Sequence, residues 1–299
     1  LTVAVIINPI SGTGGDPAAA AARAALAAST LDARGVEGDV RVTEHPGHAR
    51  ELADAAVARG ASTVVAWGGD GTMNEVASAL AFRDVALGIV PSGSGNGLAR
   101  ELRIPFKPAD ALAVALGASE RRIDCGDADG HLFFNVAGMG VDARVAHEFV
   151  GRSPDRRGLL GYVDVTLREL FRARPEEHTV SADGVVVRQR TLLLAIANSR
   201  QYGNGAVIAP QARLDDGHLD IVVVSARPAP IAIMQAPMLF LGAASLVPGV
   251  RMLRASHIEI ASAEPVLFHV DGEPKLGGTS VTVRVRPGAL RVRVPGSTS

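Results

Sequence analysis

Aromatic residues are scarce, with Phe, Trp and Tyr together making up 4% of the 299-residue chain. That excludes the stacking platforms on which single-stranded nucleic acid is held. Charge of one sign is lacking too, since 30 Lys and Arg face 31 Asp and Glu for a net charge of −1. With no basic field to gather a polyanion, no nucleic-acid partner is expected. The single cysteine, Cys125, excludes an internal disulfide and fits a reducing compartment. The eight histidines show no Cys/His spacing of a zinc site. No secretion signal is in view, because LTVAVIINP at 1–9 is short, with no basic region before it and no cleavage site after it. Long apolar runs are missing with one exception, residues 229–250, which carry no charge between Ile231 and Val250. Pro237, Gly242, Pro248 and Gly249 interrupt it, so a broken, buried or surface-docking helix pair is expected, with no transmembrane span.

What is present is a globular composition, 47% hydrophobic and 20% charged, on a length that suits about two domains. The first part alternates strand-like and helix-like segments, the pattern of βα units around a parallel sheet. Strands are predicted at TVAVIIN (2–8), GDVRVTE (38–44), STVVAW (62–67) and VALGIVP (85–91). Helices are predicted at 17–33, with Pro17 in the first turn, at 47–59 and at 72–82. From about Cys125 the pattern changes to short alternating strands, from HLFFNVAG (131–138) through HTVSADGVVVRQR, TLLLAIAN, HLDIVVVSA, SHIEIAS, PVLFHVDGE and TSVTVRVRP to ALRVRVP (289–295). Asp183-Gly184 is a hairpin signal. The fold class is therefore α/β in two domains. Residues 1–124 form an α/β nucleotide-binding domain, to which strand 288–299 returns. Residues 125–287 form a β-sandwich with helical inserts at 158–173 and 229–246.

Three loops of the first domain share one chemistry: NPISGTGG (8–15), GGDGTMN (68–74) and PSGSGNG (91–97). Each follows a strand and precedes a helix, so all three fall on the sheet edge where ligands bind in open α/β folds. Glycine lets bulky anions approach backbone N–H groups, and Ser11, Thr13, Thr72 and Ser94 offer hydroxyls. The loops lack the P-loop lysine. Glu44 could serve a Rossmann site as ribose partner, but SGTGGDP departs from G-x-G-x-x-G, with Pro17 following Asp16 where the third Gly belongs. Asp70, a carboxylate amid phosphate-binding backbone, is repulsive unless a divalent cation intervenes, which points to Mg-nucleotide chemistry. Thr72 is expected to cap the 72–82 helix with help from Asn74 and Glu75, which leaves Asp70 for the ligand. In VDGEP the two carboxylates Asp271 and Glu273 suit metal binding and proton abstraction, and Asp-Gly equally suits a plain hairpin turn.

In order and spacing, NPISGTG, GGDGTMNEV and PSGSGNGLAR resemble the motifs of the diacylglycerol kinase catalytic-domain family. That family includes bacterial soluble lipid kinases and sphingosine kinases, with NAD kinases and phosphofructokinases as distant relatives. FNVAGMGVDARV (134–145), NSRQYGNGAVIAPQARLDDGHLDIVVV (198–224), VDGEP (270–274) and PGALRVRVP (287–295) extend the resemblance over essentially the whole chain. It implies an ATP-binding α/β domain, NAD kinase-like in its three layers, then a β-sandwich domain, with catalysis in the cleft between them. The cofactors implied are ATP and Mg2+. The nucleotide is expected on Asn8, Ser11, Gly12, Thr43, Gly68, Gly69, Asp70, Gly71, Thr72, Asn74, Ser94, Gly95 and Asn96. The wording Ser94-Gly95-Asn96-Gly97 is nearer the sphingosine kinases, which leaves the acceptor open.

The resemblance makes Glu273 the general base, with Asp271 beside it and Asp70 as the alternative proton acceptor. It also implies a structural magnesium on Asp216 and the main-chain carbonyls of Arg213 and His218, with Asp124 in the same network. The expected reaction moves the γ-phosphoryl of ATP to a lipid hydroxyl, that of diacylglycerol first and of a sphingoid base or other long-chain alcohol second. The competing class is a non-catalytic nucleotide- or lipid-binding protein, against which the intact Asp70, Asp271 and Glu273 speak. A lipid substrate at the inner face of the membrane, reached by a cytoplasmic protein or its homodimer, is the expected partner. The apolar surface for its chains is assigned to 231–250 with Phe149, Leu159, Leu160 and Phe171, and that for headgroups to Arg152, Arg156 and Arg157.

Overall fold

The computed structural model describes residues 2–12, 17–150, 159–172, 175–203 and 205–296, and the chain divides into two compact units. The first comprises Leu1–Ile123 and Gly288–Ser299. Its elements are β1 (Val3–Ile7), α1 (Pro17–Ala33), β2 (Gly38–Val42), α2 (His48–Ala58), β3 (Thr63–Gly68), α3 (Asp70–Leu80), β4 (Ala86–Pro91), α4 (Gly97–Glu101) and α5 (Pro108–Ala115). The strands are parallel in the order β2-β1-β3-β4, and Arg291 and Val292 add a last parallel strand beside Ala86 and Leu87. β1, β3 and β4 are buried along their whole length, which is why VAVII, TVVAWG and ALGIVP read as continuous apolar runs. Helices α2 and α3 pack together, as do α1 and α5, so the sheet is covered by two helical layers. Chain order reverses between β1 and β3. The loops that follow these two strands therefore open side by side, at the switch point where doubly wound sheets take ligands.

The second unit, Asp124–Pro287, is antiparallel. β5 (Glu120–Ala128) enters it and turns back as β6 (His131–Phe133). Then come β7 (Val136–Gly140), α6 (Val141–Val150), α7 (Leu159–Arg172), β8 (Glu176–Ala182), β9 (Val185–Ala197), β10 (Gln201–Gly203), β11 (Ala206–Val207), β12 (Leu219–Ser225) and α8 (Ala229–Phe240). A 3₁₀ turn at Ala244–Leu246 leads to β13 (Val250–Ala255), β14 (His257–Ser262), β15 (Leu267–Val270), β16 (Glu273–Leu276) and β17 (Ser280–Arg293). One core joins alternate residues Met139, Leu194, Ile196, Ile221 and Val223 to Ile258, Ile260, Phe268, Val281 and Val283. The intervening residues Val136, Ala195, Val222 and Val224 pack on the other face with Val145 of α6, Val165 of α7 and Ala232 and Leu239 of α8. The β7-β9-β12 sheet is thus buried on both sides, one by strands and one by the helical inserts.

Several sequence expectations change. TLLLAIAN is not a separate strand but the second half of β9, which pairs first with β8 and then with β7 and β12. TSVTVRVRP and ALRVRVP likewise form one strand through Pro287-Gly288, with Gly288 at φ 58. HLFFNVAG breaks at Phe134-Asn135, and α6 and β13 went unpredicted. The two-domain α/β and β-sandwich class, the Asp183-Gly184 hairpin and the broken 229–246 insert hold. Among the described residues, no helix is long and apolar enough to cross a membrane. Cys125 is buried and free, and burial first, with the charge of Asp127 next, pushes its thiol up to about 12.

Candidate active site

Asp70 corrects the expected helix start. α3 begins at Asp70, with Gly69 in extended conformation as its N-cap, so Thr72 lies inside the helix and caps nothing. The Thr72 hydroxyl instead accepts from Asn8 Nδ2 at 2.9 Å, which ties the second loop to the first. Glu75 serves another helix, since its carboxylate accepts from Gly47 N and Ala49 N, both at 3.1 Å, at the start of α2. Asp70 also reaches outward. Its Oδ2 accepts from Asn96 N and its Oδ1 from Gly97 N, both at 2.8 Å, so it fixes the entry to α4 in the third loop. Asn96 (φ 52, ψ 47) closes that loop locally, with Oδ1 accepting from Gly93 N at 2.9 Å and Nδ2 donating to Gly93 O at 2.6 Å.

The glycines chiefly make room for neighbouring loops. A Cβ on Gly93 would stand 2.6 Å from Gly69 Cα, and one on Gly95 would stand 2.6 Å from Asp70 Oδ2. On Gly12 (φ +85) it would overlap the carbonyl of Ser92. Hydroxyls close the remaining gap, as Ser11 Oγ meets Ser92 Oγ at 2.7 Å and donates to Asn8 O at 3.0 Å. Arg23 of α1, a residue the Ala-rich sequence gave no reason to single out, donates to Asn8 O at 3.0 Å and to Ser11 O at 2.8 Å. Thr43 is buried and its amide donates to Ile7 O at 2.9 Å. Gly68 abuts Thr72, Gly71 is the second residue of α3, Asn74 Oδ1 accepts from Ser78 Oγ at 3.3 Å, and Ser94 is exposed. Thr13 and Gly15 of the first loop lie outside the described residues.

Burial raises the Asp70 pKa, against the opposing pull of the Gly97 and Asn96 amides and the charge of Arg100. A carboxyl whose pKa is raised by folding favours the folded state fully below its unfolded value. That contribution is lost as pH climbs through the folded one. The two Asp70 oxygens accept the amides of Gly97, Asn96 and Asp70 itself, which leaves lone-pair capacity for a cation, so a magnesium ion fits this carboxylate.

In the second unit Asp271 (φ 48) and Gly272 (φ 88) form the two-residue turn between β15 and β16. The turn is more than a hairpin. Asp271 Oδ2 accepts from Phe134 N at 2.8 Å, and Oδ1 from Asn135 N and Val136 N at 2.9 and 3.0 Å. Glu273 follows at the first position of β16, exposed. Beneath the turn His269 Nε2 meets Asp142 Oδ2, both buried, and His269 Nδ1 accepts from Gly272 N at 3.2 Å. Asn198 Nδ2 donates to the carbonyls of Phe134 (3.0 Å) and Asp124 (2.9 Å), and Asp124 Oδ2 accepts from Gly217 N at 2.7 Å. Asp124 is thereby joined to the segment that holds Asp271.

At the expected structural metal site, Asp216 Oδ1 accepts from His218 N at 3.1 Å while Oδ2 is paired with Arg254. Arg213 faces Asp215 at 3.8 Å. A cation on Asp216 would compete with the guanidinium already neutralising it. A different cluster escaped notice in the sequence. His45 and His48 stack at 4.6 Å, with Glu51 near enough for the three to share an ion.

Of the expected apolar surface, α8 presents Ile231, Met234 and Met238, followed by Leu241 and Leu246, at the surface. Met234 is 72% and Leu241 81% exposed. Leu167 and Phe171 of α7, which packs on α8, are exposed as well. The side chains of Phe149, Leu159 and Leu160, and residues Arg152, Arg156 and Arg157, lie outside the described residues.

Residues 2–128 match the model of the diacylglycerol kinase catalytic domain, and 135–294 that of the YegS C-terminal NAD kinase beta sandwich-like domain. A protein of Pseudomonas aeruginosa described as "Probable lipid kinase YegS-like" is 38% identical over 282 residues, covering 91% of this chain and 89% of that protein. One of the same description from Xanthomonas euvesicatoria is 34% identical over 284 residues, covering 90% and 91%. The crystal structure of a diacylglycerol kinase from Bacillus anthracis superposes with a TM-score of 0.76 at 20% identity. It covers 100% of this chain and 98% of that one, and is similar in fold.

Proposed function

The chain belongs to the diacylglycerol kinase catalytic-domain family as a YegS-like lipid kinase, and we propose that it transfers the γ-phosphoryl group of ATP to the free hydroxyl of diacylglycerol, giving phosphatidic acid and ADP. The observation that carries this reading is the mutual contact of three backbone-rich loops around one half-buried carboxylate, Asp70, which fixes the third of them. A surface made of amide donors suits the oxygens of a polyphosphate. Asn8, Ser11, Gly12 and Thr43, with Gly68 to Thr72, Asn74 and Ser94 to Asn96, would hold the nucleotide. Asp70 would hold the magnesium ion, which when bound neutralises phosphate charge. Glu273 would take the proton of the lipid hydroxyl as its oxygen bonds to phosphorus and the bond to the ADP oxygen breaks.

The test is transfer of label from γ-labelled ATP to dispersed diacylglycerol, a sphingoid base and a long-chain alcohol, each with magnesium or with chelator. Label in phosphatidic acid, lost on chelation, is expected. Label confined to the sphingoid base would replace the acceptor, and no labelled lipid would remove the kinase reading altogether.

We place the membrane against the exposed face of α7 and α8. Positions 231, 234, 238 and 241 follow helical spacing along one side. Between Asp220 and Glu259 the sequence has no acidic residue but includes Arg227 and Arg251, which suits anionic headgroups around an apolar stripe. Met234→Glu with Leu241→Glu should weaken sedimentation with anionic vesicles at least tenfold. Turnover of a short-chain, freely dispersed acceptor should stay within twofold. Unchanged sedimentation would refute the assignment.

A further inference from the structure

His269 and Asp142 form a buried pair that no step above uses, with 6% and 5% of their side chains exposed. Their place is built with care. His269 of β15 pairs with Gly138 of β7, and any Cβ at Gly138 would overlap both the imidazole and the carboxylate. On its other side the ring reaches the turn, where Nδ1 accepts the N–H of Gly272, the residue next to Glu273. Asp271 fixes the first residue of that turn through the amides of 134–136. The second residue is held by the imidazole.

An Nδ1 that accepts leaves the ring proton on Nε2, where it is donated to Asp142. Burial disfavours a charged ring, and the Asp142 carboxylate more than offsets this, so the pKa lies above its ordinary value. A second proton, however, would have to sit on Nδ1, at which Gly272 N–H already points. The donor geometry is that of the singly protonated ring.

We infer that His269, held in this tautomer by Asp142, is a positioning residue that sets the direction in which Glu273 leaves the turn. The inference rests on the reading of Glu273 as general base. A buried polar pair that served stability alone would favour the substitute that keeps a donor to Asp142 over one that leaves this carboxylate unpaired, and that difference can be measured. Asparagine places its carboxamide where Nδ1 stands, within reach of Gly272, whereas glutamine extends its own to the Nε2 position, toward Asp142. His269→Asn is expected to keep kcat within about fivefold of the parent enzyme. His269→Gln should lose at least about tenfold in kcat, with KM for ATP within twofold in both. Glu273→Gln is assayed beside them. Equal kcat in the two His269 variants, or a loss that falls on KM for ATP, would overturn the inference alone. Full turnover in Glu273→Gln would overturn the assignment of the base and the inference with it.

Discussion

Glu273→Gln should lower kcat by about 10²–10⁴-fold, the range typical for loss of a positioned proton acceptor. KM for ATP should stay within twofold and the unfolding midpoint should not move. Glutamine keeps the shape of the side chain but cannot accept a proton. Glu273 is exposed at the head of β16, so the change opens no cavity and should alter stability by less than about 0.5 kcal/mol. Steady-state kinetics against the lipid acceptor, together with a thermal melt, would separate the two effects. The other two carboxylates are less suited to the role. Asp271 spends both oxygens on three amides, which turns its lone pairs to the 134–136 segment and away from a substrate hydroxyl. Asp70 fixes the entry to α4 and, as proposed, turns its remaining lone-pair capacity to the magnesium ion. Full activity in Glu273→Gln would return the role to one of them.

The second large effect is on stability. Asp271→Gly removes the acceptor for three amides of buried residues, Phe134, Asn135 and Val136, while keeping a residue that tolerates the left-handed conformation at φ 48. A buried donor left without a partner costs about 1–3 kcal/mol, so three together should cost on the order of 3 kcal/mol or more. For a domain of this size that corresponds to a fall in midpoint of at least about 6 °C. Asp271→Ala adds the penalty of a Cβ in left-handed backbone, about 1–2 kcal/mol further. Calorimetry on the two variants would separate amide loss from backbone strain. A midpoint within about 2 °C of the parent in Asp271→Gly would show that water replaces the carboxylate at no cost.

The same two acids show what a sequence can and cannot say. Asp271-Gly272 announces its turn because a type I′ hairpin needs two residues that accept positive φ, a strictly local demand. Its grip on 134–136 spans more than 130 positions and leaves no local mark. Asp70 misled in the same way. Thr72 looked like the cap because capping is read within four residues, whereas the real partners of Asp70 are amides 26 and 27 residues on. The three loops could be found from their glycines, hydroxyls and strand-to-helix setting. What the glycines are for could not, because Gly69 and Gly93 meet only once β3 and β4 lie side by side. Arg23 was hidden for a similar reason, since a lone arginine on an Ala-rich helix has many possible partners until the first loop folds back over it. Pro287-Gly288 suggested the end of a strand, and the backbone instead carries β17 through it.

The contact between Gly69 and Gly93 has a consequence for the thermodynamics of association. Backbone pressed on backbone, with Asp70, Asn96 and the Ser11–Ser92 pair around it, leaves the second and third loops few alternative arrangements before any ligand arrives. The conformational entropy of these contacting segments has largely been surrendered during folding. A nucleotide bound there, as proposed, would meet a preorganised surface and lose little affinity to ordering its host.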